Sequence, residues 1–142
     1  MVKALSLTQP WATLVALGAK QIETRSWYTS YRGPLVIHAA KAFPAEARDI
    51  CNTEPFQEAL HEVPRPLPLG AGLCLVELVA CVETTKLFKL GVLGIKPMPQ
   101  EIYFGNFSPG RWAFALKLIR VFEKPVERQG SLSIWDWGLT MP

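Results

Sequence analysis

TQPWATLVALGAKQIETRSWYTSYR, residues Thr8 to Arg32, holds a change of period that decides the fold class. Thr8 or Gln9 can cap a helix whose first turn contains Pro10, a residue tolerated there because its missing N–H is not needed. Trp11, Leu14, Val15 and Gly18 follow the i, i+3, i+4, i+7 spacing, so the helix turns one stripe toward a core. Gly18 supplies the left-handed stop. From Lys20 to Tyr28 the period becomes two: Ile22, Thr24 and Ser26 share one strand face, and Gln21, Glu23, Arg25 and Trp27 the other. A short helix delivered straight into a strand points to an α+β protein.

The flanks extend this reading. Val2 to Leu7 reads as a first strand, and Leu35 to Ala40, after the Arg32-Gly33-Pro34 turn, as another with His38 inside it. Phe43 to Leu60 predicts one or two helices broken near Pro55, and Val63 to Gly72 a proline-rich surface loop. Leu73 to Val82 and Arg111 to Glu123 are apolar strands, and Ser131 to Trp137 a short last one. Thr84 to Gly94 allows one helical turn; Lys96 to Gly110, with three prolines and two glycines, reads as irregular loop. The order β-α-β-β-α-β-β-β predicts a small mixed or antiparallel β-barrel with helices packed on its outside.

Composition narrows the class further. A chain of 142 residues, 49% hydrophobic and 19% charged, predicts one folded domain over residues 1–142. The net charge of +3 permits an anionic partner without demanding one. Cys51, Cys74 and Cys81 form no CxxC pair and have no histidine at ligand spacing, so reduced thiols and no metal site are expected. No apolar run approaches the ~18 residues of a membrane span, and MVKALSLTQPW is too interrupted for a signal peptide; a soluble cytoplasmic protein is the expectation. Glycine-rich phosphate loops and GxSxG elbows are absent.

Two constellations can carry chemistry. Glu23 and Arg25, two apart on a strand, point the same way; they are either a surface ion pair or, with Lys20, the wall of an anion-binding cleft. Trp11, Trp27, Tyr28 and Tyr31 surround that trio with Arg32 beside them, an aromatic and basic alternation that suits stacked bases and held phosphates, or plain core packing, the reading that fits Trp11 on its inward stripe. The second constellation is QEIYFGNFSPGRW, residues Gln100 to Trp112, where Glu101, Tyr103, Asn106 and Arg111 lie in or beside a long loop. His38 reads as a satisfied core or edge histidine rather than a catalyst.

GAKQIETR, residues Gly18 to Arg25, fits G-x-K-x-x-E-x-R and resembles the signature of the ASCH (activating-signal-cointegrator homology) domain of the PUA-like superfamily. The QPW helix start, RSWYT, GLCLVELVACVE, FGNFSPGRWAF and SLSIWDW are similar to further parts of such domains. The resemblance implies a PUA-like β-barrel with a cleft beside the motif, and RNA, single-stranded nucleic acid or a nucleoside or nucleotide as ligand. Taken with the aromatic and basic alternation, the motif gives an expected ligand-binding set of Lys20, Glu23, Arg25, Ser26, Trp27, Tyr31 and Arg111, with no cofactor and no membrane partner. Some small relatives are acetylcytidine amidohydrolases using Lys, Thr and Glu, and others resemble ribonucleases. Their Lys falls on Lys20 and their Thr on Glu23, with Glu101 nearest to their Glu; an enzyme would therefore use Lys20, Glu23 and Glu101. A carboxylate does not replace a hydroxyl, so nucleic-acid or nucleotide binding is the leading expectation. A hydrolase of RNA or acylated cytidine and a ligand-free protein-interaction module are the alternatives.

Overall fold

A computed structural model describes residues 1–142. Its elements are β1 (Val2–Leu7), α1 (Trp11–Ala16), β2 (Ile22–Arg25), β3 (Gly33–Ala39), α2 (Ala45–Ile50), α3 (Phe56–Leu60), β4 (Ala71–Glu83), β5 (Trp112–Glu127) and β6 (Ile134–Gly138). Tight helical segments at Thr84–Leu93 and Pro99–Phe104 fill the connection between β4 and β5. The strands form one mixed six-stranded sheet in the order β2-β5-β4-β3-β1-β6. β1 and β3 run parallel because α1 and β2 carry the chain across between them; the other neighbours are antiparallel. No helix is long and apolar enough to cross a membrane.

The α+β class stands, but the expected barrel does not close. β2 and β6 are the outer strands and do not pair with each other. β2 is four residues long and covers only Trp112 to Ala115 of the sixteen-residue β5, too little to complete a ring. β5 also runs further than its apolar run suggests, through Pro125. The register jumps there from Val126 opposite Gly72 to Val121 opposite Cys74, so the missing N–H falls in a bulge where no ladder bond is required.

The main core lies between the sheet and α1, with Leu5, Leu7, Val15, Ile37, Val76, Leu78 and Phe114 among its buried members. The three cysteines are buried free thiols, and burial pushes Cys74 up to about 12. On the far side of the sheet Trp137 packs against Ala4, Val36 and Phe122. Gly72 makes that possible, because a Cβ there would stand 2.6 Å from the Trp137 ring. Gly72→Ala should therefore cost about 1–3 kcal/mol by overpacking, read as a lower urea midpoint.

His38 ties the last strand to this face. Its Nε2 lies 2.6 Å from the Arg128 carbonyl, which only accepts, so Nε2 carries the proton. Nδ1 then accepts from the Ser6 hydroxyl at 2.9 Å, and Ser6 Oγ accepts from Trp135 Nε1 at 3.1 Å. Burial lowers the His38 pKa from its ordinary value, so the neutral ring belongs to the folded state. The stability it contributes is present above the unfolded value and lost as pH falls through the lower folded one. Urea midpoints should drop below about pH 6, and His38→Gln, which cannot titrate, should flatten that part of the profile.

Candidate nucleic-acid interface

The site begins where α1 ends. Gly18, at φ +79°, closes the helix with its N–H on the Val15 carbonyl and the Ala19 N–H on the Leu14 carbonyl. This turn sends the Lys20 side chain inward, where it is fully buried. Its Nζ donates to the Ile22 carbonyl at 2.5 Å and the Phe104 carbonyl at 2.8 Å, and stands 3.4 Å from Glu23 Oε1. The ammonium thus makes two hydrogen bonds and one ion pair.

A second buried charge returns the contact. Glu101, from the Pro99–Phe104 segment, accepts the Gln21 N–H with both carboxylate oxygens at 3.1 and 2.9 Å, and the Ile22 N–H at 2.9 Å. Burial raises its pKa, opposed by those N–H bonds and by the Lys20 charge. So a lysine from the motif holds a loop carbonyl, while a carboxylate from the loop holds motif amides. A Cβ at Gly105 would crowd the Phe107 ring at 3.2 Å, while Lys20 Nζ would stand at an ordinary 3.6 Å. The far end of the loop is fixed by the Thr84 hydroxyl donating to the Ser108 carbonyl at 2.8 Å.

Between the motif strand and this pinned loop opens a cleft of about 560 Å³. Buried Ile22 and Thr24 face the protein, while Glu23 and Arg25 face the cleft at 14% and 23% side-chain exposure. Arg25 binds Glu23 Oε2 through Nε at 2.9 Å and reaches the Ser6 carbonyl with Nη2 at 2.8 Å. Opposite, Arg111 donates from Nη2 to the Thr24 carbonyl at 3.0 Å and from Nε to the Asn106 carbonyl at 3.1 Å. Thr8, Trp11, Tyr103 and Asn106 complete the walls. Lys20 is matched by Glu101 and Arg25 by Glu23, so Arg111 leaves the cleft net positive.

The residues singled out from the sequence thus separate into groups. Glu23, Arg25 and Arg111 line the cleft together. Lys20 and Glu101 lie beneath it as its fastening. Ser26 is exposed in the bend after β2 and is not on the cleft wall. Trp27 and Tyr31 are not there either: Trp27 meets Phe114 edge-on at 5.1 Å, and Tyr31 donates its hydroxyl to the Pro34 carbonyl. The chain leaves the strand at Arg25, two residues before Trp27, so the alternation that would aim Trp27 into the cleft has ended. The aromatics lining the cleft are Trp11, Tyr103 and Phe104, the last of them buried. Trp11 reads from sequence as an inward helix residue, yet it is the first residue of a six-residue helix and stays only partly buried. Tyr103 had a signal, its place beside Glu101 in a glycine-punctuated loop.

A mixed sheet with a cleft between a helix-terminating strand and a long loop defines an α+β domain. The family model described as ASCH domain matches residues 5–125, and the chain belongs to that family. Activating signal cointegrator 1 from Homo sapiens is 40% identical over 82 residues, covering 56% of this chain and 14% of that protein. The Mus musculus protein of the same name is 38% identical over 82 residues, with the same coverage. The chain thus matches about one-seventh of the length of these curated relatives. The crystal structure of ASCH from Zymomonas mobilis shares the fold with a TM-score of 0.53 at 16% identity, over 94% of this chain and 85% of that one.

Lys20→Met should test the fastening. It keeps the volume but orphans two buried carbonyls and strips Glu23 of a counter-charge. A loss of about 2–4 kcal/mol is expected in urea unfolding, and amide exchange should quicken in the Pro99–Phe104 segment.

Proposed function

We propose that the cleft binds nucleic acid, RNA foremost, by taking one nucleotide between the motif strand and the loop. The observation that carries this reading is the convergence of Arg25 and Arg111 on a hollow walled by Trp11 and Tyr103. Guanidiniums match phosphate oxygens in fork geometry, and aromatic faces stack bases of any sequence. About 560 Å³ suits a nucleotide-sized ligand. Asn106 adds an amide at the rim, with Oδ1 already accepting from Ser108, which leaves its N–H donors for a base edge. Membership of a family associated with RNA supports the same reading. Glu23 holds Arg25 in place and offers an acceptor to a base amino group.

The hydrolase reading is less well supported. A lysine nucleophile needs a free amine open to substrate, and Lys20 is sealed in with its donors engaged. Its geometry is that of a positioning residue.

Single-stranded RNA should bind in fluorescence anisotropy with an affinity that falls as salt rises, each phosphate-bound arginine contributing about 0.7 to the log–log slope. Arg111→Gln should weaken binding about tenfold and lower the slope correspondingly. No affinity at low salt for RNA, DNA and nucleotides alike would remove the proposal.

A further inference from the structure

Behind the motif strand lies a second hollow, also of about 560 Å³, outside the cleft. Its floor is apolar, with Val79, Ile95 and Leu116 among its residues, and Lys96 and Lys117 stand at its rim. Lys20 and Gln21 border this groove, while Glu23 and Arg25 border the cleft, so the motif is the wall the two share. Gln21 is joined to the groove by its carbonyl, which accepts the Leu116 N–H at 2.8 Å.

The distribution of charge singles out this side. Between Thr84 and Arg120 the chain has six cations, Lys86, Lys89, Lys96, Arg111, Lys117 and Arg120, and one carboxylate, Glu101. Glu101 is buried and already engaged, whereas all six cations but Arg111 are exposed. The whole chain carries only +3, so the remaining residues are net acidic. Neither Lys96 nor Lys117 belongs to an ion pair within the chain. Glu77, opposite Lys117 across the β4–β5 pair, also lines the groove and offsets one of the two. Lys96 remains uncompensated, with Lys89 and Arg120 on the neighbouring elements; Lys86 there is paired with Glu83.

We infer that this groove carries the continuation of the same strand, its phosphates on Lys96 and Lys117 and its bases over the apolar floor. The inference rests on the nucleic-acid reading of the cleft. From Gln21 to Arg25 the motif strand spans about 13 Å, so a ligand engaging both hollows must be longer than one nucleotide. The domain would then select for length as well as for chemical class: a mononucleotide fills the cleft, and an oligonucleotide crosses the motif into the groove. A bare phosphodiester track explains why the rim is lysine, which acts as a point charge, while the cleft uses arginine.

The test compares UMP with a single-stranded RNA of about ten nucleotides, a span such grooves track, on the intact chain. The variant is Lys96→Ala/Lys117→Ala, with Lys96→Glu as a second; both positions are exposed and circular dichroism controls for folding. The double variant should keep UMP affinity, lose about tenfold in oligonucleotide affinity, and lower the salt slope by about 1.4, two contacts of about 0.7 each. Lys96→Glu should weaken the oligonucleotide further while leaving UMP alone. An unchanged oligonucleotide affinity and slope would overturn the groove assignment while the cleft stands. Loss of a glutamate-rich peptide's binding with oligonucleotide binding intact would overturn it in favour of an acidic protein partner. If the wild-type protein binds neither UMP nor RNA, the cleft reading falls and the groove falls with it.

Discussion

One reciprocal contact organises the functional side of this molecule. Lys20 reaches from the motif to a loop carbonyl, and Glu101 reaches from the loop to motif amides. Each charge is removed from water, which is costly: Glu101 is satisfied by motif amides, and Lys20 by the loop's Phe104 carbonyl together with Ile22 and Glu23 of its own segment. The loop is not held by secondary structure: between Gly94 and Trp112 it has little more than one tight turn. Without the clasp its remaining ties to this side of the protein would be the buried Phe104 ring and the bond from Arg111 to the Thr24 carbonyl. With it, the loop becomes a wall, and Tyr103, Asn106 and Arg111 acquire positions relative to Glu23 and Arg25.

Polarity is thereby divided by depth. Lys20 and Glu101 lie underneath, occupied and sealed; Glu23 is intermediate, shared between Lys20 below and Arg25 beside it; Arg25 and Arg111 reach the surface of the cleft. The layer below cancels its own charge and the layer above does not. That gradient turns a chain of modest net charge into one with a locally basic hollow, and it explains why overall composition says so little about a partner.

The sequence disclosed the part governed by local rules. Gly18 stops its helix because only a left-handed residue closes it, and the alternation from Ile22 to Arg25 sorts buried from cleft-facing side chains without tertiary information. What it could not disclose was set by distance along the chain. The clasp joins residues about eighty apart, and nothing in Lys20 alone says whether its ammonium will meet solvent or the Phe104 carbonyl. Ser26, Trp27 and Tyr31 lie off the cleft wall because β2 ends at Arg25, earlier than the period of two suggests. The barrel failed for a related reason: strand lengths decide closure, and a four-residue β2 against a sixteen-residue β5 is a tertiary outcome. The family resemblance, by contrast, covered most of the chain, and the match over residues 5–125 agrees with it.

The account stands on where a nucleotide sits. Titration of isotope-labelled protein with UMP, followed by amide and arginine side-chain resonances, reports that position directly. Shifts confined to Arg25, Tyr103, Asn106 and Arg111, with Lys20 still protected from exchange, are the predicted result. Shifts gathered instead around His38, Lys41 and Arg128, which line a different hollow, would contradict it.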